Sequence, residues 1–388
     1  MPGSPWSTLE AAGERPATRH REGKGDCVTF LSVTEKRIAV IPGDGIGIDV
    51  TREAVGLLTT LREATGLALA LEEFDFGAER YLKTGVSLPE GTFERFQREF
   101  DAIFIGALGD PRVPDMAHAR DILLGTRFVL DLYANHRPVK LLHDDLCPLK
   151  GRGRKDVDFV VFRENTEGAY VGMGGIFKKG TPDEIATQED INTRKGVERI
   201  IEHAFRYARE KGLTKVAMSD KSNVLRYGHD LWQRVFAEVS KRYPEIEASH
   251  IYVDALTLQM VKNPSQFQVI VTCNMFGDIV TDLGAALQGG LGMAASGNIN
   301  PDGLSMFEPV HGSAPKYAGK NVANPFGALL SVQLMLEHLG CRDEASLVER
   351  AVIAAIEKGE RPQELGGNLG TREVGAAVCR RVRELASA

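Results

Sequence analysis

The chain has 388 residues, 43% hydrophobic and 26% charged, enough apolar material for one large or two moderate packed domains. A formal net charge of -6 argues against a general binder of nucleic acid or of an anionic membrane, both of which need a basic surface, and leaves a small molecule as the expected partner. Cys27, Cys147, Cys273, Cys341 and Cys379 are odd in number and show no CxxC spacing, which speaks against a disulfide framework or zinc site and predicts a reducing cytoplasm. No apolar run is long enough to span a membrane, and the N-terminus lacks the apolar core of a secretory signal.

Residues 1–36 mix Pro, Gly, Arg and Glu without periodicity and are expected to form a mostly disordered extension. Glu10, Glu14 and Glu22 disfavour a transit peptide there. An apolar strand at 37–42 leads into Gly43-Asp44-Gly45-Ile46-Gly47 and a helical run over 49–61, the generic opening of a doubly wound α/β fold. The spacing is not GxGxxG, so this turn reads as structural as readily as dinucleotide-binding. Further strands are expected at 67–74, 101–106, 159–162, 215–218 and 269–272, alternating with helices, which predicts parallel strands joined by crossovers. Residues 173–191 break that rhythm with Gly and Lys where core is due, and fit a projecting β arm or a surface loop.

The stretch Thr272-Cys273-Asn274-Met275-Phe276-Gly277-Asp278-Ile279-Val280-Thr281-Asp282 follows the buried-strand pattern Val269-Ile270-Val271. Asn274 to Gly277 read as a turn, and Asp278 to Asp282 as the first turn of a helix. Two carboxylates four apart on one helical face repel by about 0.2–0.5 kcal/mol. A hard divalent cation, Mg²⁺ or Mn²⁺, would remove that cost, and Asp254 in Tyr252-Val253-Asp254-Ala255 is a third candidate ligand. The plain alternative is that acids favour a helix N-terminus through its dipole.

Arg127, Arg137 and Arg163 each lie in or beside an apolar stretch, where a guanidinium needs a carboxylate from the protein or from a polycarboxylate substrate. Three such arginines in a chain with an acidic cation site tilt the balance toward a substrate clamp. Lys221, just after the strand at 215–218, and Tyr170, just after Asn165-Thr166-Glu167-Gly168, are candidates for moving protons, although each could be an ordinary surface residue. His311-Gly312-Ser313-Ala314-Pro315 and residues 319–324 form a small-residue loop whose backbone could approach an adenine ring and phosphates, or could simply connect two elements.

Six stretches in order resemble the metal-dependent β-decarboxylating dehydrogenases of 2-hydroxy acids, the isocitrate/isopropylmalate dehydrogenase family. They are Ile41-Pro42-Gly43-Asp44-Gly45-Ile46-Gly47, Asn135-His136-Arg137-Pro138, Arg163-Glu164-Asn165-Thr166-Glu167-Gly168, Asp220-Lys221-Ser222-Asn223, Asn274 to Asp282, and Glu308-Pro309-Val310-His311-Gly312-Ser313-Ala314-Pro315. The resemblance runs from about residue 37 to about 386. It implies two α/β domains sharing a mixed, largely parallel sheet without a Rossmann fingerprint. The first would comprise 37–132 with 289–388, and the second 133–288 with a dimer interface and an interlocking arm. It implies a homodimer with shared active sites. Arg127, Arg137 and Arg163 would hold the carboxylates of a malate core. Asp278 and Asp282 of one subunit and Asp254 of the other would ligate the cation, with Asp254 also near substrate. Lys221 of the partner subunit would help remove the hydroxyl proton during hydride transfer, and Tyr170 would protonate the enol carbon after CO₂ leaves.

For the coenzyme the resemblance implies the loop carrying His311, Gly312, Ser313, Ala314, Pro315, Lys316, Tyr317 and Asn324, with Asn223 as a further contact. The group at C3 would meet Leu123, Leu124 and Val224. These are apolar, and burying an isopropyl group against them gains about 1.5–3 kcal/mol, whereas an unpaired carboxylate there would be strongly unfavourable. That favours 3-isopropylmalate, hence leucine biosynthesis, over isocitrate or tartrate and over a non-catalytic regulatory role. The sequence departs from the family pattern at two places. Arg120 stands where isopropylmalate relatives place a Glu near the nicotinamide ribose. Lys316-Tyr317 stands where NAD-linked relatives place an Asp, a pair suited to the 2′-phosphate of NADP, although Arg372 and Ala376 do not complete the NADP pattern. NAD is the expected coenzyme, with NADP the alternative.

Overall fold

The computed structural model describes residues 35–388. The extension expected at 1–36 lies outside the described residues as far as 34, and Lys36 already belongs to the first strand. Three strands come first, β1 (Lys36–Ile41), β2 (Leu69–Glu73) and β3 (Ala102–Ile105), interleaved with helices α1 (Ile46–Thr65), α2 (Ala78–Thr84), α3 (Thr92–Glu99) and α4 (Ala117–Val129). The middle of the chain supplies β4 (Ala134–Lys140), β5 (Asp158–Glu164), the hairpin β6 (Gly174–Phe177) and β7 (Ile185–Gln188), then α5 (Arg194–Glu210), β8 (Lys215–Asp220) and α6 (Gly228–Ser240). It continues with β9 (Glu247–Tyr252), α7 (Val253–Lys262), β10 (Val269–Thr272) and α8 (Asn274–Leu287). The chain then returns through β11 (Ala295–Ile299) and β12 (Ser305–Pro309) to α9 (Phe326–His338), α10 (Arg342–Glu357) and α11 (Thr371–Ala386).

Apart from the hairpin, the strands form one sheet in the order β2-β1-β3-β12-β11-β4-β5-β10-β8-β9. The outer pairings are parallel, as alternation of strands and helices predicts, but β4 runs antiparallel to both β5 and β11, and β11 antiparallel to β12. A short loop at 300–304 joins β11 to β12, and only an antiparallel pair can be closed by so short a connection. The β11–β4 pairing joins the strands of 37–132 and 289–388 to those of 133–288.

Side chains alternate across this sheet. Val160 and Phe162 of β5 face a large core with Leu57, Phe205, Trp232 and Phe326, while Val139 and Val161 face a second core with Leu256 and Val280. Residues 173–191, expected as a β arm or a loop, form the antiparallel β6–β7 hairpin, with Met173, Ile176, Phe177 and Ile185 exposed. No helix among the described residues is long and apolar enough to cross a membrane.

His136 and His203 both pack against Phe162, with ring centroids 5.0 and 4.9 Å away. Burial pushes both imidazoles down to about 3, aided by Lys211 and His338 at His136 and by His136 and Arg206 at His203. Below their ordinary value of 6.5 the unfolded chain therefore binds protons that the folded chain refuses. Stability should be complete above pH 6.5 and fall as pH drops toward 3. Thermal melts at pH 7, 6 and 5 should show this acid loss, and it should be shallower in His203→Phe. An unchanged slope in the variant would remove His203 from the explanation.

Candidate active site

Strand β10 is the ruler for the site. Its four residues are buried, it ends at Thr272, and the extended Cys273 leads into α8 at Asn274. The expected turn at 274–277 is therefore the first turn of α8, and Asp278 and Asp282 lie beyond it. Short residues and a glycine read as a turn in sequence, but Gly277 N–H donates to Cys273 at 2.9 Å in helical register. The helix dipole acts mainly on the first turn, so it does not explain this acidic pair.

Gly277 is where α8 meets β5. A Cβ there would lie 2.4 Å from Cγ of Arg163, a side chain only 1% exposed. Gly277→Ala should therefore displace Arg163 or the start of α8, costing about 1–3 kcal/mol as an overpacked site does. A thermal melt checks this: a Tm within 1 °C or so of the parent would contradict the tight fit.

Arg163 is held from several sides. Nε and one terminal nitrogen donate to Oδ1 of Asn274 at 3.0 and 2.8 Å, and the other terminal nitrogen pairs with Asp278. Arg137 on β4 reaches the same Asp278 oxygen at 3.2 Å and donates to Oγ1 of Thr281 at 2.6 Å. Arg127 on α4 pairs with Glu308 of β12 at 3.1 Å, and Asn298 also donates to that carboxylate, at 2.8 Å. Burial and the neighbouring guanidinium groups push Arg163 down to about 10 despite Asp278, and burial likewise lowers Arg137. Nε of Arg127 and Nε of Arg137 are buried without a hydrogen-bond partner. Such a surplus of buried donors is what a ligand carrying carboxylates would satisfy.

Tyr170 donates its hydroxyl to the other Asp278 oxygen at 3.0 Å, and Arg163 lies over its ring at 5.0 Å. Burial and the Asp278 charge raise the phenol, so it keeps its proton. Burial alone would raise Asp278, but Arg163 and Arg137 outweigh it and hold this carboxylate below its usual range. At Asp282 burial and the charge of Asp278 outweigh the same two arginines and raise it. An acid raised by burial and by its neighbour's charge, on the same helical face and beside open solvent, suits a divalent cation. Among the described residues of one chain, no cluster of three metal-binding side chains forms.

Lys221 and Asp254 stand apart from this cluster. Nζ of Lys221 meets Oδ1 of Asp254 at 2.7 Å, and the lysine holds the mostly exposed carboxylate below its usual range. Asn223 and Val224 follow Lys221 and are exposed, Val224 at 65%. On α4, Leu123 and Leu124 are partly buried one turn before Arg127, and Leu123 packs against the core around Phe96 and Ile122. Asp121 accepts from the Ser87 hydroxyl at 2.9 Å, and Arg120 is largely exposed beside Asp121.

The loop after β12 sits against the turn after β1. Ile46 N–H donates to the Ser313 carbonyl at 2.7 Å, and Gly45 is needed because a Cβ would lie 2.1 Å from that oxygen, at φ 57°. Ala314 adopts φ 36°, and Pro315, Lys316 and Tyr317 form an exposed turn with the lysine over the tyrosine ring at 4.7 Å. Gly312 is exposed. Nε2 of His311 and Nδ2 of Asn324 are buried without partners on this loop. A groove of about 510 Å³ opens between Gly43, Asp44, Ile48, Pro315 and Ala318. Neither His311 nor Asn324 lines that groove, whose walls also carry Glu73, Asp75, Glu79 and Asp110. The sequence reading had named Asn274, Thr281 and Glu308 only as motif letters, and their roles as guanidinium partners depend on tertiary contacts.

Residues 37–378 match the family model described as isocitrate/isopropylmalate dehydrogenase. A protein of Thermobifida fusca (strain YX) described as 3-isopropylmalate dehydrogenase is 48% identical over 356 residues, covering 91% of this chain and 99% of the relative. A 3-isopropylmalate dehydrogenase of Streptomyces coelicolor is 46% identical, covering 87% of this chain and 98% of the relative. Among solved structures, the isocitrate dehydrogenase of Methylococcus capsulatus superposes with a TM-score of 0.80 at 38% identity, covering 90% of this chain and 99% of that one. The match to a family model over nearly all the described residues, on a sheet that the solved structure shares, means that this chain belongs to the isocitrate/isopropylmalate dehydrogenase family.

Proposed function

We propose that this chain oxidatively decarboxylates 3-isopropylmalate to 4-methyl-2-oxopentanoate, the dehydrogenase step of leucine biosynthesis, in a reducing cytoplasm. The observation that carries the chemistry is the gathering of Arg127, Arg137 and Arg163 near an acidic pair on α8 and a protonated tyrosine. Choice of substrate rests on the apolar Leu123 and Leu124 one turn before Arg127 and on the two bacterial relatives described above.

In this reading the three guanidinium groups hold the two carboxylates of the malate core and fix C2 toward the coenzyme loop. Asp278 and Asp282, with Asp254 from a second copy of the chain, hold Mg²⁺ or Mn²⁺. The cation supplies positive charge against the oxygen that becomes anionic as CO₂ leaves. Lys221, also from the second copy, takes the C2 hydroxyl proton, and Tyr170 returns a proton to C3. The pairing of Lys221 with Asp254, apart from Asp278 within one chain, supports a site completed across a homodimer. We assign 37–132 with 289–388 to one domain and 133–288 to the other, with β11–β4 as the seam and the β6–β7 hairpin as an arm between subunits.

His311 to Tyr317 and Asn324, with Asn223 from the second copy, hold the coenzyme, which accepts the C2 hydride; the reading takes it to be NAD. One observation favours NADP instead. Arg372 is tied to Asn321 through its backbone N–H at 2.9 Å and its Nε at 3.4 Å, which keeps another basic residue beside the loop carrying Lys316 and Tyr317. The purified protein with Mg²⁺ and 3-isopropylmalate should produce reduced coenzyme and 4-methyl-2-oxopentanoate in equal amounts, and EDTA should abolish both. Parallel assays with NAD and NADP identify the coenzyme. No product with either would refute the reading.

A further inference from the structure

One buried carboxylate joins the coenzyme side of the site to the substrate side. Asp44, in the turn after β1, is 5% exposed. Its Oδ1 accepts the Ala78 N–H at the start of α2 at 2.7 Å, and its Oδ2 accepts the Gly109 N–H from the loop after β3 at 2.8 Å. The same Oδ2 lies 2.8 Å from Nε2 of His118, in the first turn of α4. His118 is 0% exposed, and its Nδ1 is buried without a partner, so the Asp44 bond is its one hydrogen bond.

Besides this bond, the start of α4 is held by the Ser87 hydroxyl on Asp121 at 2.9 Å and by burial of Ala119 and Ile122. No side chain caps the helix, and the two residues before it, Asp115 and Met116, both sit in the left-handed region at φ 55° and 50°. Non-glycine residues adopt that conformation only when surrounding contacts enforce it. Farther along the same helix lie Leu123, Leu124 and Arg127, about 7.5, 9 and 13.5 Å from His118 at the 1.5 Å rise of an α-helix. On the other side of Asp44, the adjoining Gly45 and Ile46 carry the Ser313 carbonyl of the coenzyme loop.

We propose that His118 is a positioning residue: its bond to Asp44 fixes where α4 begins relative to the coenzyme loop, and so sets how closely Leu123, Leu124 and Arg127 approach the substrate. The inference rests on the proposed dehydrogenase reading. A hydrogen bond between buried groups suits this task because it is directional and has no competing water. Loss of the bond lets the first turn of α4 relax from its left-handed entry, which moves the C3 wall and the clamp arginine together. The coenzyme loop keeps its own bond to Ile46 and is affected less.

The test compares His118→Leu, which removes the donor while filling the space, with His118→Gln, which restores a donor. For each, kcat and KM are measured with 3-isopropylmalate and with malate, which lacks the C3 alkyl group, together with hydrogen exchange of the amides at 117–129. His118→Leu should raise the KM for 3-isopropylmalate at least fivefold and lower its kcat/KM advantage over malate at least tenfold. Exchange in the first turn of α4 should accelerate, and His118→Gln should recover most of each change. A merely structural role would lower the active fraction, reducing kcat for both acids equally while leaving KM and the ratio unchanged, and that outcome overturns the proposal. If the parent protein oxidises neither acid, the dehydrogenase reading fails by itself. The α4 amides then decide the positioning claim: unchanged exchange in His118→Leu overturns it, and faster exchange recovered by His118→Gln supports it.

Discussion

Lys221→Met should lower kcat by about 10²–10⁴-fold, the range lost when a positioned proton-transfer group is removed, while 3-isopropylmalate and Mg²⁺ still bind. The side chain is of similar length, so packing is retained. Its present partner, Asp254, is 67% exposed and can be solvated when the lysine is gone, so the change in stability should stay within about 0.5 kcal/mol. Steady-state kinetics beside calorimetric titration of the acid in the presence of Mg²⁺ separates the two effects. Near-native turnover would show that the proton leaves by another route. Turnover lost together with binding would make Lys221 an anchor rather than a base.

Asp278→Asn should be nearly as damaging for a different reason. Asp278 is the carboxylate on which Arg137, Arg163 and Tyr170 converge, and its neighbour Asp282 is its natural companion for a cation. The amide removes one negative charge from a centre of three arginines. The expected result is a kcat/KM at least about a hundredfold lower, with half-saturation by Mg²⁺ moved up at least tenfold, as loss of a metal ligand requires. Breaking a fully buried ion pair costs about 3–5 kcal/mol, but Asp278 is 40% exposed, so a loss of about 1–3 kcal/mol is expected. A titration of activity against Mg²⁺ and a thermal melt check both parts. An unshifted Mg²⁺ dependence would remove Asp278 from the cation site. The two inactive variants also test sharing of sites between subunits: co-refolded Lys221→Met and Asp278→Asn chains should regain activity, because a mixed dimer contains one site free of both changes. Failure to regain any would place Lys221 and Asp278 in one chain's site.

Much of this was legible in the sequence where a signal is local. The β-branched run Val269–Thr272 forms the strand that its pattern predicts, and the glycine turn at 43–47 does connect a strand to a helix. The candidates Arg127, Arg137, Arg163, Tyr170, Asp278 and Asp282 do come into one neighbourhood. What local pattern missed depends on contacts distant in sequence. The helix begins a turn early, at Asn274, and within that turn Gly277 leaves room for the Arg163 side chain of β5, a contact 114 positions away in sequence. The antiparallel course of β4 depends on which neighbours it finds, and hydrophobic period does not encode strand direction. His118 looks like an ordinary residue in Met116-Ala117-His118-Ala119. Only the fold places Asp44, 74 positions earlier, against its ring.

The most direct test of the central claim is the ratio of kcat/KM for 3-isopropylmalate to that for isocitrate, measured on the purified full chain with saturating Mg²⁺ and whichever coenzyme it prefers. An apolar wall at Leu123 and Leu124 gains about 1.5–3 kcal/mol from an isopropyl group and has no partner for a third carboxylate, so a ratio of at least about 100 in favour of 3-isopropylmalate is predicted. A ratio below one would mean that these leucines do not face C3. It would overturn the assignment to 3-isopropylmalate, while leaving in place the arginine clamp and the acidic pair that any acid of this family would use.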